Sequence, residues 1–414
     1  MAWHRSAALL SLLLCVGCSF EPDPPPAPDE PLFKGGAPLT NLLFERVADF
    51  DPTVDYFPQK AVFRHATKLT VEYHRHFKVA DIVIEGMAGQ RQQVLMVQRG
   101  TPRPAGYADA TLVWVPVRRW SSSNYHYGGV ADLLGVSDRL VLLGGSYLHA
   151  TSPGIVRLIQ EGRIRHMRST EQAAAIETDV NLSWTPFLAR MQDYEEFRAL
   201  GITNVNPVER QEETPLGRSE WIKFLALLFN REAQAEAYFA EIEAEYERLA
   251  ALTRDVSGRP RVFVDVPFSN RWPTVGGRNA SARMIADAGG TFVFADRESV
   301  SNQLNNPLEL AYDRGLDADV WLLTDAVTHL PDLPGLIATN PYTRQLPMPR
   351  NGTVFIQHPG RPGGPNPYWD LGVLHPDWEL ADHIKMLHPE LLPDHELVFY
   401  QSFTSWTARS QKMN

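Results

Sequence analysis

The longest helical pattern of the chain is the stretch SEWIKFLALLFNREAQAEAYFAEIEAEYERLAAL at residues 219–252. In its second part apolar side chains recur every three or four residues, at Ala235, Phe239, Ile242, Tyr246 and Leu249. This spacing marks one face of an α-helix, and the glutamate-rich opposite face is interpreted as a solvated surface. The sequence Gly-Arg-Pro at residues 258–260 interrupts the pattern. The stretch divides the chain, because strands and helices are predicted to alternate on both sides of it.

Strand patterns define the two flanking halves. Before the long helical stretch, strands are predicted at residues 68–73, 78–84, 93–98, 112–117 and 139–143. After it, strands are predicted at residues 261–266, 320–324 and 353–357, with helices between them. Such alternation predicts βαβ units and mainly parallel sheets. The fold class predicted is therefore α/β, with two halves near residues 60–218 and 258–400.

Composition and charge restrict the function. The 414 residues include 39 basic and 49 acidic side chains, so the formal net charge is −10. Nucleic acid is not expected as a partner, because neutralising phosphates requires a basic face. Hydrophobic residues make up 44% of the chain, which is typical of a packed globular protein.

The N-terminus has the layout of an export signal. Residues 1–18 read MAWHRSAALLSLLLCVGC, in which a short basic start precedes an apolar run too short to span a bilayer. The run ends at Cys18 and looks like a bacterial lipobox, in which that cysteine carries a diacylglyceryl group. An ordinary cleavable signal is the alternative. Cys15 is the other cysteine of the chain, so the body is expected to hold no disulfide and no cysteine-ligated metal.

A proline-rich segment follows the signal. Residues 21–31, EPDPPPAPDEP, are acidic and lack apolar periodicity, which predicts an extended tether. No later run of eighteen apolar residues exists in the sequence. We therefore expect an exported protein that is lipid-anchored to the cell envelope, and the membrane that carries the anchor is left open.

Motifs for enzyme chemistry are absent from the sequence. The segment GGSYL at residues 144–148 lacks the second glycine of a nucleophile elbow, and no P-loop, HExxH or strand-linked GxGxxG occurs. No enzyme activity and no cofactor are therefore predicted. The chain has 13 histidines, and a multi-histidine metal site is one interpretation of His74, His76, His375, His383, His388 and His395. Isolated histidines are the favoured interpretation, because these spacings give no helical face for three of them.

Aromatic and polar side chains follow several predicted strand ends. In open parallel sheets, ligands bind outside the carboxyl ends of the strands. Aromatic faces together with arginine and serine suit a large planar ligand with anionic edges, although each residue alone could be core packing. The candidate binding residues are Arg118, Arg119, Trp120, Ser122, Tyr125, Tyr147, Trp184, Trp272, Arg361, Tyr368 and Trp369.

Five strings carry a resemblance to a known family. They are VEYHRHFKV at 71–79, the serine-containing residues 118–127, LGRSEWIKF at 216–224, WPTVGGRNASARMIADAGG at 272–290 and YWDLGVLHPDWELADHIKMLHPELLPDHELVFY at 368–400. With them, residues 60–403 resemble the bacterial solute-binding lipoproteins of ABC importers that bind ferric siderophores or cobalamin.

The resemblance implies two Rossmann-like lobes that are joined by a single long α-helix, with the ligand in the cleft between them. The implied division is a signal peptide at 1–18, a tether and lead-in at 19–59, an N-terminal lobe at 60–216, an inter-lobe helix at 217–230 and a C-terminal lobe at 231–414. Little lobe movement is expected, since one helix is a poor hinge.

The resemblance also implies a function and partners. A monomer that captures a ferric siderophore, haem or a corrinoid and delivers it to an ABC permease is expected. Family members dock on the permease through acidic tips, for which Asp193 or Glu195 is the candidate in the first lobe. Arg278 occupies the acidic place in the second lobe, which puts the docking pair in doubt. A metal-ion binding protein and an exported enzyme or surface interaction protein are the alternatives.

Overall fold

The computed structural model describes residues 30–85, 91–123, 126–145, 150–183, 196–197, 199–301, 303–324, 335, 337, 340–358 and 365–405. Three sheets of four or five strands organise this part of the chain, and helices pack beside two of them. Both five-stranded sheets consist largely of parallel strands, which confirms the predicted α/β class. Within these residues, the structure shows no helix that is both long enough and apolar enough to cross a membrane.

The first lobe begins with a small sheet and a four-stranded sheet. Strands β1 and β2 are parallel and span Leu32–Phe33 and Arg46–Val47. The four-stranded sheet has the order β3-β4-β5-β6, antiparallel except for the parallel pair β5 and β6. Its strands are Leu69–Tyr73, Phe77–Val83, Arg91–Gln98 and Thr111–Val115.

The second sheet of the first lobe is entirely parallel in its described strands. Its order is β11-β10-β7-β8-β9, with β7 to β11 at Trp120–Ser122, Leu140–Leu143, Arg165–His166, Val180–Leu182 and Asn204–Val205. Helices α1, α2 and α3 are Tyr127–Leu133, Pro153–Gln160 and Thr170–Ile176. Short 3₁₀ turns lie at Ser137–Arg139 and Glu209–Gln211.

The long helical stretch is divided into pieces. Helix α4 spans Pro215–Ser219, α5 spans Trp221–Phe229 and α6 spans Glu232–Leu252. Asn230 ends α5 in the left-handed conformation with φ 57°, which asparagine tolerates better than most residues, so the helical stretch 219–252 is divided there into its first part and its glutamate-rich second part. Every residue of α5 is buried. We call residues 209–230 the connector, and its role as the single link between lobes stays a prediction.

The second lobe has the sheet order β14-β12-β16-β17-β18, in which only the edge strand β18 is antiparallel among these pairs. Strands β12 to β18 are Arg261–Val264, Trp272–Thr274, Thr291–Phe292, Leu304–Asn306, Val320–Leu323, Val354–Ile356 and Gln401–Ser402. Helices α7 to α10 are Ala280–Asp287, Leu308–Leu316, Met348–Asn351 and Pro376–Leu387. A 3₁₀ turn lies at Thr343–Gln345 and a π-helix at Tyr368–Gly372.

Buried carboxylates fasten residues 64–68, just before β3, to the connector. The Glu220 carboxylate accepts backbone N–H bonds from residues 64–66 at 2.7–3.0 Å. The Glu212 carboxylate accepts backbone N–H bonds from residues 67 and 68 and a bond from Trp221 Nε1 at 3.0 Å. Because hydrogen bonds to charged groups stabilise more than neutral ones, these two side chains hold residues 64–68 against the connector.

Candidate functional site

The π-helix of the second lobe touches the first lobe at two places. The Asp370 carboxylate accepts hydrogen bonds from the backbone N–H of Thr151, from its Oγ1 at 3.0 Å and from the N–H of Ser152 at 3.1 Å, at the start of α2. Gly129 of α1 lies so close that a Cβ there would be 2.2 Å from the Asp370 carbonyl oxygen. A carboxylate at a helix N-terminus is favourable, and π-helical turns often occur at functional sites. The lobes therefore meet at this turn.

A small cavity lies beside this junction. It has a volume of about 30 Å³ and is lined by side chains from both lobes and the connector, among them His126, Tyr127, Glu209, Arg210, Arg218 and Asp370. We call it the inter-lobe cavity. Its lining combines two arginines and carboxylate groups with apolar side chains such as Val130, Ile222 and Leu225, a mixture that is typical of ligand pockets.

The two arginines determine the charge of the cavity. Burial and the neighbouring positive charge of Arg218 lower the pKa of Arg210 to about 10. The Arg210 guanidinium lies 5.0 Å from the centroid of the Trp369 ring, a cation–π geometry. The buried Nε of Arg218 has no hydrogen-bond partner in the described part of the chain. An anion would relieve the repulsion between the two guanidinium groups.

Burial shifts the pKa values of two neighbouring groups toward their neutral forms. Burial holds the pKa of His126 well below its usual value, and the charge of Arg210 lowers it further. His126 Nδ1 lies 3.2 Å from the Trp369 carbonyl oxygen, so a neutral imidazole can donate there. Burial also raises the pKa of Glu209, while Arg210 opposes this shift, and Tyr127 donates to the Glu209 carboxylate at 3.0 Å. The arginines are therefore the main charges of the cavity.

A second, water-sized cavity of about 10 Å³ also has Arg218 in its lining. Its other lining residues include Pro215, Met284, Tyr368 and Glu379, and we call it the side cavity. Burial raises the pKa of Glu379 to about 7, while Arg218 opposes this shift. Arg218 thus lines both the inter-lobe cavity and the cavity that contains a buried acid.

The structure places the predicted site residues in different surroundings. Tyr368 and Trp369 lie on the π-helix at the junction of the lobes, next to the two cavities. Ser122 ends β7 and is buried, with its Oγ donating to the Leu182 carbonyl oxygen at 3.3 Å. The remaining predicted site residues lie outside the described residues: Cys18, Tyr125, Tyr147, Trp184, Asp193, Glu195 and Arg361.

Arg118 and Trp120 are not at a carboxyl strand end, which corrects the expectation. Residues 120–122 themselves form β7, so Arg118 lies at the amino end of the parallel sheet, where it pairs with Glu30. Arg119 is adjacent to it, and its backbone N–H binds Asp179. The Trp120 ring is fully buried against Phe229. In the sequence the serines of β7 suggest a polar loop. In the structure these residues form a strand that is buried on both faces.

Trp272 is also a core residue in this structure. It is fully buried in β13, its Nε1 donates to the Val264 carbonyl oxygen at 2.9 Å, and its ring lies 4.7 Å from that of Phe263. The hydrogen bond satisfies the indole N–H, which buried tryptophan requires. Trp272 therefore packs the second lobe rather than facing the inter-lobe cavity.

The sequence interpretation missed His126, Arg210 and Arg218. Arg218 lies inside the string LGRSEWIKF that carries the resemblance, which was the available signal. Arg210 lies on a 3₁₀ turn that lines the cavity, and no hydrophobic periodicity in the sequence indicates that position.

Among the described residues, no group of three or more His, Cys, Asp or Glu side chains could hold a metal ion. Arg278 forms an ion pair with Glu213 at 2.6 Å.

The close approach at Gly129 leads to a testable prediction. Gly129→Ala is expected to lower the free energy of unfolding by about 1–3 kcal/mol, because the added methyl group overlaps the Asp370 carbonyl. Gly128→Ala is the matched control, since a Cβ there would lie 3.4 Å from Ile155, an ordinary contact. Urea unfolding followed by circular dichroism measures both. Equal stability of the two variants would show that α1 and the π-helix are not in contact.

Comparison with known proteins gives two similar sequences. No protein-family model matches the chain. An uncharacterized lipoprotein of Methanocaldococcus jannaschii is 24% identical over 344 residues, which are 80% of this chain and 84% of the relative. A second uncharacterized lipoprotein of the same organism is 28% identical over 209 residues, which are 50% of this chain and 47% of that relative.

Solved structures give the fold. A periplasmic binding protein from Veillonella parvula matches with a TM-score of 0.54 and 13% identity, over 74% of this chain and 97% of that protein. The molybdate periplasmic binding protein MolA of a Haemophilus influenzae ABC transporter matches with a TM-score of 0.52 and 18% identity, over 68% of this chain and 89% of that protein. Both neighbours are binding proteins and not enzymes. The chain therefore has the fold of the periplasmic solute-binding proteins of ABC transporters, as the sequence resemblance predicted.

Proposed function

We propose that this protein is a lipid-anchored, monomeric solute-binding protein of an ABC importer. It captures an anionic iron chelate (a ferric siderophore or haem) or a corrinoid between its lobes and delivers it to the permease. The observation that carries the proposal is the inter-lobe cavity, which is lined by Arg210 and Arg218 and in which Arg210 lies beside the Trp369 ring.

The chemistry of the lining supports an anionic solute with a flat or apolar surface. Two guanidinium groups can each form charge-assisted hydrogen bonds to carboxylate or chelate oxygens. Trp369 and the neutral His126, whose ring centroids are 4.8 Å apart, supply aromatic faces. A cavity of about 30 Å³ is far smaller than a chelate or a corrinoid. Binding of such a solute therefore requires the π-helix to move away from α1.

The strand-end loops complete the proposed site. Tyr125, Tyr147 and Trp184 follow strands of the first lobe, and Arg361 follows β17 of the second. Since the carboxyl ends of parallel strands form the ligand edge of such sheets, these side chains would surround a large solute above the arginine pair.

Anchoring and docking are the other parts of the proposal. Two relatives in Methanocaldococcus jannaschii bear the name lipoprotein, which supports Cys18 as the lipidated residue. An anchored protein would meet its permease at the membrane surface, with Asp193 or Glu195 as the acidic contact of the first lobe. In the second lobe Arg278 forms an ion pair with Glu213. Because the carboxylate compensates the positive charge of Arg278, this tip would not repel an arginine of the permease.

A compact oxyanion is the second candidate solute. The small volume of the cavity favours it, because a tetrahedral anion needs less opening of the lobes than a chelate. The structural neighbour MolA is described as bound to molybdate, which is such an anion.

Direct titration tests the proposal. Purified protein without its signal peptide is titrated with ferric citrate, haemin, cobalamin and sodium molybdate, and tryptophan fluorescence is followed. We expect saturable quenching by an iron chelate, haemin or cobalamin in the micromolar range, since Trp369 lies beside the arginines. A response to molybdate alone would favour the oxyanion, and no response to any of the four would refute the binding function.

A further inference from the structure

A buried acid lies behind the proposed anion site. Glu379 is in the first turn of α10 and is 9% exposed. Its Oε1 accepts a hydrogen bond from Gln357 Nε2 at 3.1 Å, and its carboxyl group also bonds Tyr368 and Tyr400. It lines the side cavity together with Arg218, which also lines the inter-lobe cavity. Arg218 can therefore interact with an acid on one side and with a solute on the other.

One of the charged and titratable groups that face Glu379 is a cation. The titratable and charged side chains around it are Arg218 of α4, Tyr246 of α6, Tyr368 of the π-helix, Asp382 and His383 of α10, and Tyr400. Burial lowers the pKa of His383, so this imidazole is neutral, and its Nδ1 lies 2.8 Å from the Glu379 carbonyl oxygen. The Asp382 carboxylate accepts hydrogen bonds from the backbone N–H groups of residues 398–400, and its Oδ1 lies 2.7 Å from His395 Nε2. Arg218 is thus the cation in this set, and together with the hydroxyl groups of Tyr368 and Tyr400 it favours a charged Glu379.

We propose that Glu379 is the counter-charge of Arg218 in the empty protein and that it takes up a proton from the solvent when an anionic solute neutralises Arg218. The proton converts the Glu379 carboxylate into a carboxylic acid, and no other bond changes. This inference rests on the proposed function, because it requires an anion in the inter-lobe cavity. It adds to that function a dependence of solute affinity on pH.

The direction of the pH dependence follows from the charges. Burial and Asp382 raise the pKa of Glu379, and Arg218 lowers it, with the balance at about 7. An anion on Arg218 removes the lowering influence, so the pKa of Glu379 rises in the complex. Below pH 7 the acid is already neutral and Arg218 is available to the solute. Above pH 7 the carboxylate competes for Arg218, so affinity falls as the pH rises.

The coupling can be measured without any solute. The side-chain carboxyl of Glu379 is assigned in a ¹³C NMR spectrum by its loss in Glu379→Gln and is then titrated with pH. Arg218→Gln is expected to raise the midpoint of that titration by about one unit or more, because the counter-charge is gone. Arg248→Gln, whose side chain is 55% exposed on α6, is the matched control and should leave it unchanged. An unshifted midpoint in Arg218→Gln overturns the inference whether or not a solute binds.

The second measurement uses ferric citrate and molybdate at pH 6 and pH 8. If a bound anion raises the Glu379 pKa by about one unit, the dissociation constant of the natural protein should be about fivefold larger at pH 8. In Glu379→Gln the side-chain amide can still form hydrogen bonds with the tyrosine hydroxyl groups, but it does not titrate. This variant should therefore show the same dissociation constant at pH 6 and pH 8. Equal constants in the natural protein overturn the inference. If neither these anions nor haemin nor cobalamin binds while Arg218→Gln shifts the Glu379 midpoint, the binding function is refuted and the Arg218–Glu379 coupling stands.

Discussion

Replacing Lys78 by methionine is expected to lower the free energy of unfolding by about 3–5 kcal/mol. The side chains of Lys78 and Glu232 are both fully buried, with Nζ and Oε1 2.6 Å apart. Lys78 Nζ also donates to the Leu227 carbonyl oxygen at 2.6 Å and to Asn230 Oδ1 at 2.9 Å. Methionine fills a similar volume but leaves Glu232 as a buried charge without its cation. The variant therefore loses the attachment of β4 to the end of α5.

Urea unfolding at pH 7 measures this loss. Lys60→Met is the matched control, because Lys60 forms its ion pair with Asp55 while both side chains are 42% exposed. Exposed pairs contribute about 0–1 kcal/mol, so the control should remain close to the natural protein. Adding Glu232→Gln to Lys78→Met should recover part of the stability, since it removes the unpaired charge. A Lys78 variant as stable as the Lys60 variant would contradict the buried pair.

The double variant Arg210→Gln, Arg218→Gln is expected to weaken binding of the anionic solute by at least about 100-fold. Each charge-assisted hydrogen bond contributes about 1.5–3 kcal/mol, and each 1.4 kcal/mol is tenfold in affinity. Glutamine keeps hydrogen-bonding capacity but removes the positive charge. The dissociation constant is measured by fluorescence titration with ferric citrate, and by competition with molybdate.

The control for the arginine variants is Arg157→Gln. Arg157 lies on α2, is 61% exposed and pairs with Glu161, so it should bind the solute as the natural protein does. The double variant must also keep its circular dichroism spectrum, which separates lost binding from lost folding. Unchanged affinity in a folded double variant would show that the solute does not bind at the inter-lobe cavity.

Local patterns predicted the elements that have a single strong periodicity. The apolar run that forms β8 at Leu140–Leu143 and the helical spacing that forms α6 both appear in the structure. Such elements can be predicted because the apolar residues of the buried face repeat at a fixed spacing along the sequence. Asn230 interrupted the long helix because a left-handed residue is a local break that a hydrophobic pattern does not reveal.

Tyr368 and Trp369 follow β17 in the chain and lie at the junction of the lobes. Their role in binding a solute stays a prediction. Arg118 and Trp120 failed because two short strands of different sheets, β6 and β7, follow each other with only a few residues between them. The boundary between β6 and β7 depends on which sheet each strand joins. The strands that decide this by pairing can lie far away in the sequence.

The sequence by itself determined the α/β class, and it predicts a division around residues 219–252 and an aromatic, arginine-containing site between two halves. Only the tertiary structure decided which arginines line the inter-lobe cavity. His126, the connector residues Arg210 and Arg218, and Asp370 come from three separate segments and meet because the π-helix packs on α1 and α2. The physical reason is that side-chain periodicity reports local burial, whereas a charged cavity depends on contacts between residues far apart in the chain.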